Sequence, residues 1–107
     1  MSKKTVFYEI FDIVMSETEV EKDLLFSSMA KTRDVVDARY LLIYFLHDND
    51  YAGFDFSFIS KMMNMTPQGI RSIYTGFKDR KDQSGKFFEI TFEKIRKRME
   101  TTSLSSQ

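Results

Sequence analysis

Apolar positions along this chain recur every three or four residues, the period of a helix with one buried side. Phe7, Ile10, Phe11 and Val14 fall at that spacing and predict an amphipathic helix over residues 5–15. Polar residues over 16–19 can break and recap it, and a short second helix over 19–26 ends in Leu24, Leu25 and Phe26. A polar loop over 27–32 follows. Thr32 can cap the next helix, with Asp34 in the first turn, where the helix dipole favours an anion. That helix is predicted to run to about His47. Val35, Val36, Leu42, Ile43 and Leu46 form one wide face, and Tyr40, Tyr44 and Phe45 extend the apolar surface nearly all round. Such a pattern belongs to a central, largely buried helix.

Residues 48–53 (DNDYAG) are a turn cluster that ends it. Only residues 54–58 alternate with the period of a strand, and that run is too short to found a sheet. Asp55 or Ser57 then opens a helix carrying Ile59, Ser60 and Met63. Asn64 stands where the chain must turn sharply, and Thr66-Pro67 restarts a helix with Ile70, Ile73 and Phe77 along its back. Residues 78–86 (KDRKDQSGK) read as a charged connection. Phe88, Phe92, Ile95 and Met99 predict a terminal amphipathic helix over 87–99. The expectation is an all-α fold, a compact bundle of five to six helices containing a helix-turn-helix. Residues 1–100 would form one domain and 101–107 a flexible polar tail.

Composition narrows the chemistry. A chain of 107 residues is one domain of ordinary small size, and its 11 Phe, 5 Tyr and 7 Met are ample for a single core. There is no Cys, which excludes disulfides and thiolate metal sites, and the single His, His47, argues against an imidazole zinc site. His47 is expected to serve the end of its helix rather than catalysis. Glu17, Glu19, Glu21 and Asp23 match no Ca²⁺ loop and read as a solvated face, or one that avoids DNA. No catalytic constellation, metal site or cofactor motif appears, so a non-enzyme is expected. The N-terminus has no signal-peptide apolar run, and residues 40–46 (YLLIYFL) are too few to span a bilayer. A soluble, cytoplasmic protein without membrane contact is therefore expected.

Net charge is zero, but it is unevenly placed. Residues 1–60 carry 6 Lys and Arg against 11 Asp and Glu, a balance of −5; residues 61–107 carry 10 against 5, a balance of +5. One anion-binding face or a chance segregation of solvated charges would each produce this.

The stretch 59–77, ISKMMNMTPQGIRSIYTGF, decides the functional expectation. A DNA-reading helix needs an apolar back to fix it and short polar or basic side chains on its front. Here Thr66, Gln68, Arg71, Ser72 and Thr75 are the front. Gln can pair with adenine, and Arg with guanine or a phosphate. Thr66 can cap the helix, and Pro67 at its first position costs no hydrogen bond. Gly69 leaves room for a close neighbour. Lys61, Lys78, Arg80 and Lys81 flank the unit and can neutralise phosphates. The opposing reading is a pair of amphipathic helices in a bundle with no DNA function, with Met62, Met63 and Met65 as core and turn packing.

The wider chain resembles the C-terminal DNA-binding domain of the bacterial replication initiator DnaA. Asp23-Leu24-Leu25, Lys31, Arg33, Ala38-Arg39 and Tyr44 fit that family's opening pattern. Gly53, Phe56, Ile59, Ser60 and Met63 follow where it places the first helix of its helix-turn-helix. The resemblance runs from about Thr5 to Met99 and implies a DnaA-domain or Trp-repressor-like arrangement. It also implies that Lys31 and Arg33 lie in a basic loop approaching the DNA backbone or minor groove, and that Arg39 contacts a phosphate. The opposing role for Arg39 is an intrachain pair with an acidic neighbour such as Asp37 or one from the first helices.

The chain departs from the family in two places. Met65-Thr66-Pro67-Gln68-Gly69 stands where DnaA carries an Arg-Asp-His-Thr-type signature, which predicts a different target. No Walker-type loop of an ATPase domain is present. The expected role is a sequence-specific double-stranded DNA-binding regulator of transcription or replication, of a kind a phage encodes, reading the major groove with a helix over 66–78. The alternative is a helical protein-interaction module that has lost DNA binding. A homodimer or a protein partner is compatible with either. Phe87, Phe88 and Phe92 are expected in the core, or else in a dimer seam. Exposure of Tyr51 and Phe54 would point to a protein partner.

Overall fold

A computed structural model describes residues 2–26 and 32–101. They form helices α1 (Lys3–Thr18), α2 (Lys22–Phe26), α3 (Arg33–His47), α4 (Phe56–Met63), α5 (Pro67–Thr75), α6 (Phe77–Ser84) and α7 (Lys86–Thr101). No strand occurs among the described residues. The all-α expectation holds, with one helix more than the largest number predicted.

The caps explain most boundaries. Ser2 Oγ accepts from the Thr5 N–H at 3.2 Å and starts α1 two residues before the predicted helix. Glu19 ends it in the left-handed region at φ 57°, its N–H returning to the Met15 carbonyl. Thr32 stands at the N-cap of α3 but makes no side-chain cap bond, so the expected capping role is not realised. Asp34 does sit in the first turn. Asp55, rather than Ser57, caps α4 by accepting from the Phe58 N–H at 2.8 Å.

The extra helix is α6. Its sequence, FKDRKDQS, has almost no apolar character and reads as a connection. It folds as a helix because Lys, Arg and Gln carry good helix propensity and its charges suit the dipole. Asp79 lies in the first turn and Lys81 in the last. Two long-range anchors complete it. The Phe77 ring stacks on Tyr44 with centroids 4.2 Å apart, and Arg80 Nε donates to Asp37 Oδ1 at 2.7 Å.

Helix α3 is the axis of the bundle and packs against α1, α2, α4, α5 and α6, while α7 closes the far side against α1 and α6. Phe7, Phe11, Leu42, Phe45, Ile59 and Phe88 are among the fully buried side chains of one continuous core. Full burial of a side chain of this size contributes about 1.5–3 kcal/mol. Val36 is only half-buried, and Tyr40 and Tyr44 line the edge of the core. Phe54 is buried and Tyr51 half-buried, so the loop after α3 displays neither as an open aromatic. Phe88 and Phe92 are core, but Phe87 is 72% exposed, contrary to the core alternative for that residue.

Candidate nucleic-acid interface

Helices α4 and α5 pack on each other and are joined by residues 64–66. Ser60 holds the turn together. Its carbonyl accepts from the Asn64 and Met65 N–H groups, and its hydroxyl donates to the Met65 carbonyl. Asn64 turns the chain at φ 55°, a left-handed conformation that Asn tolerates better than other side chains. Met63 is fully buried, and Met62 and Met65 pack against the core from half-buried positions, as packing residues should.

Thr66 Oγ1 accepts from the Gly69 N–H at 3.0 Å, so Thr66 is the cap of α5 and Pro67 its first residue. The space at Gly69 serves this cap. A Cβ there would lie 3.2 Å from the Thr66 hydroxyl.

The back of α5 is Ile70, Ile73 and Tyr74, of which Ile70 is fully buried. Tyr74 lies edge-on to His47 at 4.4 Å and donates its hydroxyl to Asp48 Oδ2 at 3.2 Å. Burial, and then the Asp48 carboxylate, push the Tyr74 phenol above its ordinary pKa. His47 Nδ1 donates to the Phe54 carbonyl at 2.7 Å, which ties the loop back to the end of α3.

Gln68, Arg71, Ser72 and Thr75 are all exposed. Their spacing of i, i+3, i+4 and i+7 puts them on one face of α5, opposite Ile70, Ile73 and Tyr74. The Arg71 guanidinium lies over the Phe56 ring, 5.9 Å from its centroid, and that ring stacks on His47 at 4.0 Å. Lys61 is exposed in the last turn of α4.

The helix expected over 66–78 stops early. Gly76 takes φ −86°, ψ 2° and separates α5 from α6, so Lys78 belongs to α6. Its lack of a side chain matters: a Cβ would lie 3.1 Å from the Ser72 carbonyl and 3.6 Å from the Tyr40 ring. Lys78 is nevertheless exposed.

The remaining predicted contacts are scattered. Lys31 lies outside the described residues. Arg33 is exposed at the first position of α3, where its Nη2 donates to the Ser84 carbonyl at 2.7 Å. It stands roughly 20 Å along α3 from the His47 end that α5 meets, at about 1.5 Å per residue. Arg39 is 8% exposed. Its guanidinium donates to the Leu25 carbonyl at 3.1 Å and the Leu24 carbonyl at 3.0 Å, which satisfies the C-terminal end of α2. Burial lowers its pKa. The expected phosphate contact is therefore turned inward, and among the described residues its partners include a pair of carbonyls rather than the anticipated Asp37. Asp37 serves Arg80 instead, with the Ser84 hydroxyl also donating to it at 3.2 Å.

No family model, curated protein or solved structure matches this chain. Among the described residues no cluster of acidic or imidazole groups is placed to hold a metal ion. No helix among them is long and apolar enough to cross a membrane.

Sequence reasoning missed Phe56 as the platform beneath Arg71 and Arg80 as the partner of Asp37. The spacing of Phe56 before Ile59 marks it only as apolar. Nothing local signals a pair 43 residues apart.

Proposed function

We propose that this protein is a sequence-specific double-stranded DNA-binding regulator of transcription or replication, of DnaA-domain-like type, that presents α5 to the major groove. One observation carries the reading: Gln68, Arg71, Ser72 and Thr75 are exposed on one face of a short capped helix whose other face packs against α3. The side chains are of the right kind. Gln and Arg can make bidentate pairs with adenine and guanine, and Ser and Thr can pair with several bases.

The supporting contacts are ordered to match. Lys61 precedes the turn and Lys78 follows the break after α5, so an exposed cation flanks α5 in sequence on each side. Such residues position a protein on phosphates without reading sequence. In this reading Arg39 has no contact with DNA, and Arg33 belongs to a separate surface. The protein acts without catalysis or cofactor, and in the cytoplasm of its host cell.

The test is fluorescence-anisotropy titration against fragments of the source genome at low and moderate salt. A small subset of fragments should retain binding as salt rises, while the rest lose it. Uniform weak binding, or none at low salt, would overturn the proposal. The second reading, a protein-interaction module, is favoured by the exposed Phe87, a large aromatic left outside the core.

A further inference from the structure

A groove of about 480 Å³ opens on the molecule where the α1–α2 connection, α3 and α7 converge. Its floor is apolar: Val20, Val35, Leu41 and Phe88 are all buried side chains of the core. Two large apolar residues stand at its edge, Leu24 at 42% exposure and Phe87 at 72%. Phe87 is adjacent in sequence to fully buried Phe88, so α7 directs one aromatic into the core and leaves its neighbour at the lip. Ile90, one turn further on, is also half open to solvent.

The polar part of the wall has one sign. Glu19, Glu21, Asp34 and Asp37 line the groove, and none of its described lining residues is basic. Asp37 is already engaged by Arg80. Glu19, Glu21 and Asp34 are exposed and form no ion pair with a described residue. An apolar slot of this volume takes one or two large side chains, a size typical of small-ligand and anchor pockets. Free carboxylates on its wall favour cations beside those side chains and repel acidic competitors.

We infer that this groove docks a basic amphipathic segment of another protein, seating a large apolar anchor between Leu24 and Phe87 with Lys or Arg against Glu19, Glu21 and Asp34. The surface does not include α5, so the inference stands independently of DNA binding. It also gives the uneven charge of the chain a use: the acidic first half supplies the wall of the partner site.

The probe is a labelled model helix built of Leu and Lys, with a Leu and Glu helix of the same pattern as control. Amide NMR shifts in the full chain report where each binds. The Leu/Lys helix should shift the amides of Val20, Val35 and Thr91, and the Leu/Glu helix should not. Phe87→Ser should weaken the Leu/Lys helix about tenfold, the scale of losing one aromatic anchor. The paired reversal Glu21→Lys with Asp34→Lys should weaken it as well and admit the Leu/Glu helix. All three positions are exposed, and a thermal melt confirms that each variant is folded. Equal binding of both helices, shifts mapping elsewhere, or indifference to Phe87→Ser would overturn the inference. So would self-association lost in Phe87→Ser, which would give the groove to a second copy.

Discussion

The Tyr74 hydroxyl donates to Asp48 Oδ2 at 3.2 Å, joining the back of α5 to the residue that ends α3. The bond is part-buried, and removing it leaves the exposed front of α5 untouched. Tyr74→Phe should therefore cost about 1 kcal/mol, the usual net worth of such a bond, in urea unfolding. If α5 reads DNA, the same variant should lose affinity only modestly, because the reading side chains are retained.

The same cluster predicts a loss of stability in alkali. Burial first, then the Asp48 carboxylate, push the Tyr44 phenol up to about 12 and raise Tyr74 in the same direction. The folded state holds these protons where the unfolded chain, with phenols near the ordinary value of about 10, releases them. The stabilisation is complete below about pH 10 and is lost as pH rises towards about 12. Thermal melts across that interval should show the midpoint falling. The tyrosinate absorbance should still be rising as the pH nears about 12, where Tyr44 ionises.

Arg39 offers a clean separation of structural and DNA-contact roles. Its guanidinium satisfies two carbonyls at the end of α2 and is buried. Arg39→Met removes the charge and keeps the apolar stem. Loss of charge-assisted hydrogen bonds should cost about 1.5–3 kcal/mol in chemical denaturation. The folded fraction should bind DNA as the parent does. A selective loss of DNA affinity with unchanged stability would return Arg39 to the DNA surface.

The three helices whose boundaries were most legible were those with local signals. Apolar spacing located α3 and α7, and Thr66-Pro67 marked the start of α5 to the residue. What sequence periodicity missed was held from afar. Helix α6 has no apolar stripe, and its attachment to Asp37 and Tyr44 is visible only once α3 lies beside it. Phe87 fits the core by composition, but at the start of α7 it falls on the side that faces the groove. The front of α5 was legible because one capped helix contains it. The contacts that the resemblance implied at Arg33 and Arg39 were not, because Arg39 turns inward and Arg33 pairs at the far end of α3.

Asn64 tests the turn that sets α4 against α5. Its φ of 55° suits Gly without strain and penalises a side chain that cannot compensate. Asn64→Gly should be neutral or slightly stabilising, while Asn64→Ala should cost about 1 kcal/mol. Differential scanning calorimetry separates the two. Equal melting of both variants would show that the Ser60 bonds to the turn, rather than its dihedral angles, set its stability.

Arg71 and Lys78 should behave differently on DNA if α5 is the reading helix. Arg71 is on the reading face and steadied over Phe56, so Arg71→Ala should cost about 1–3 kcal/mol at the preferred fragment and little elsewhere. Lys78 lies beyond the Gly76 break and offers only charge. Lys78→Ala should weaken all fragments alike and reduce the slope of log affinity against log salt by about one unit. Anisotropy titrations of both variants on preferred and random fragments at several salt concentrations measure each term. If Arg71→Ala instead weakened every fragment equally, Arg71 would be a phosphate contact, and base reading would fall to Gln68, Ser72 and Thr75.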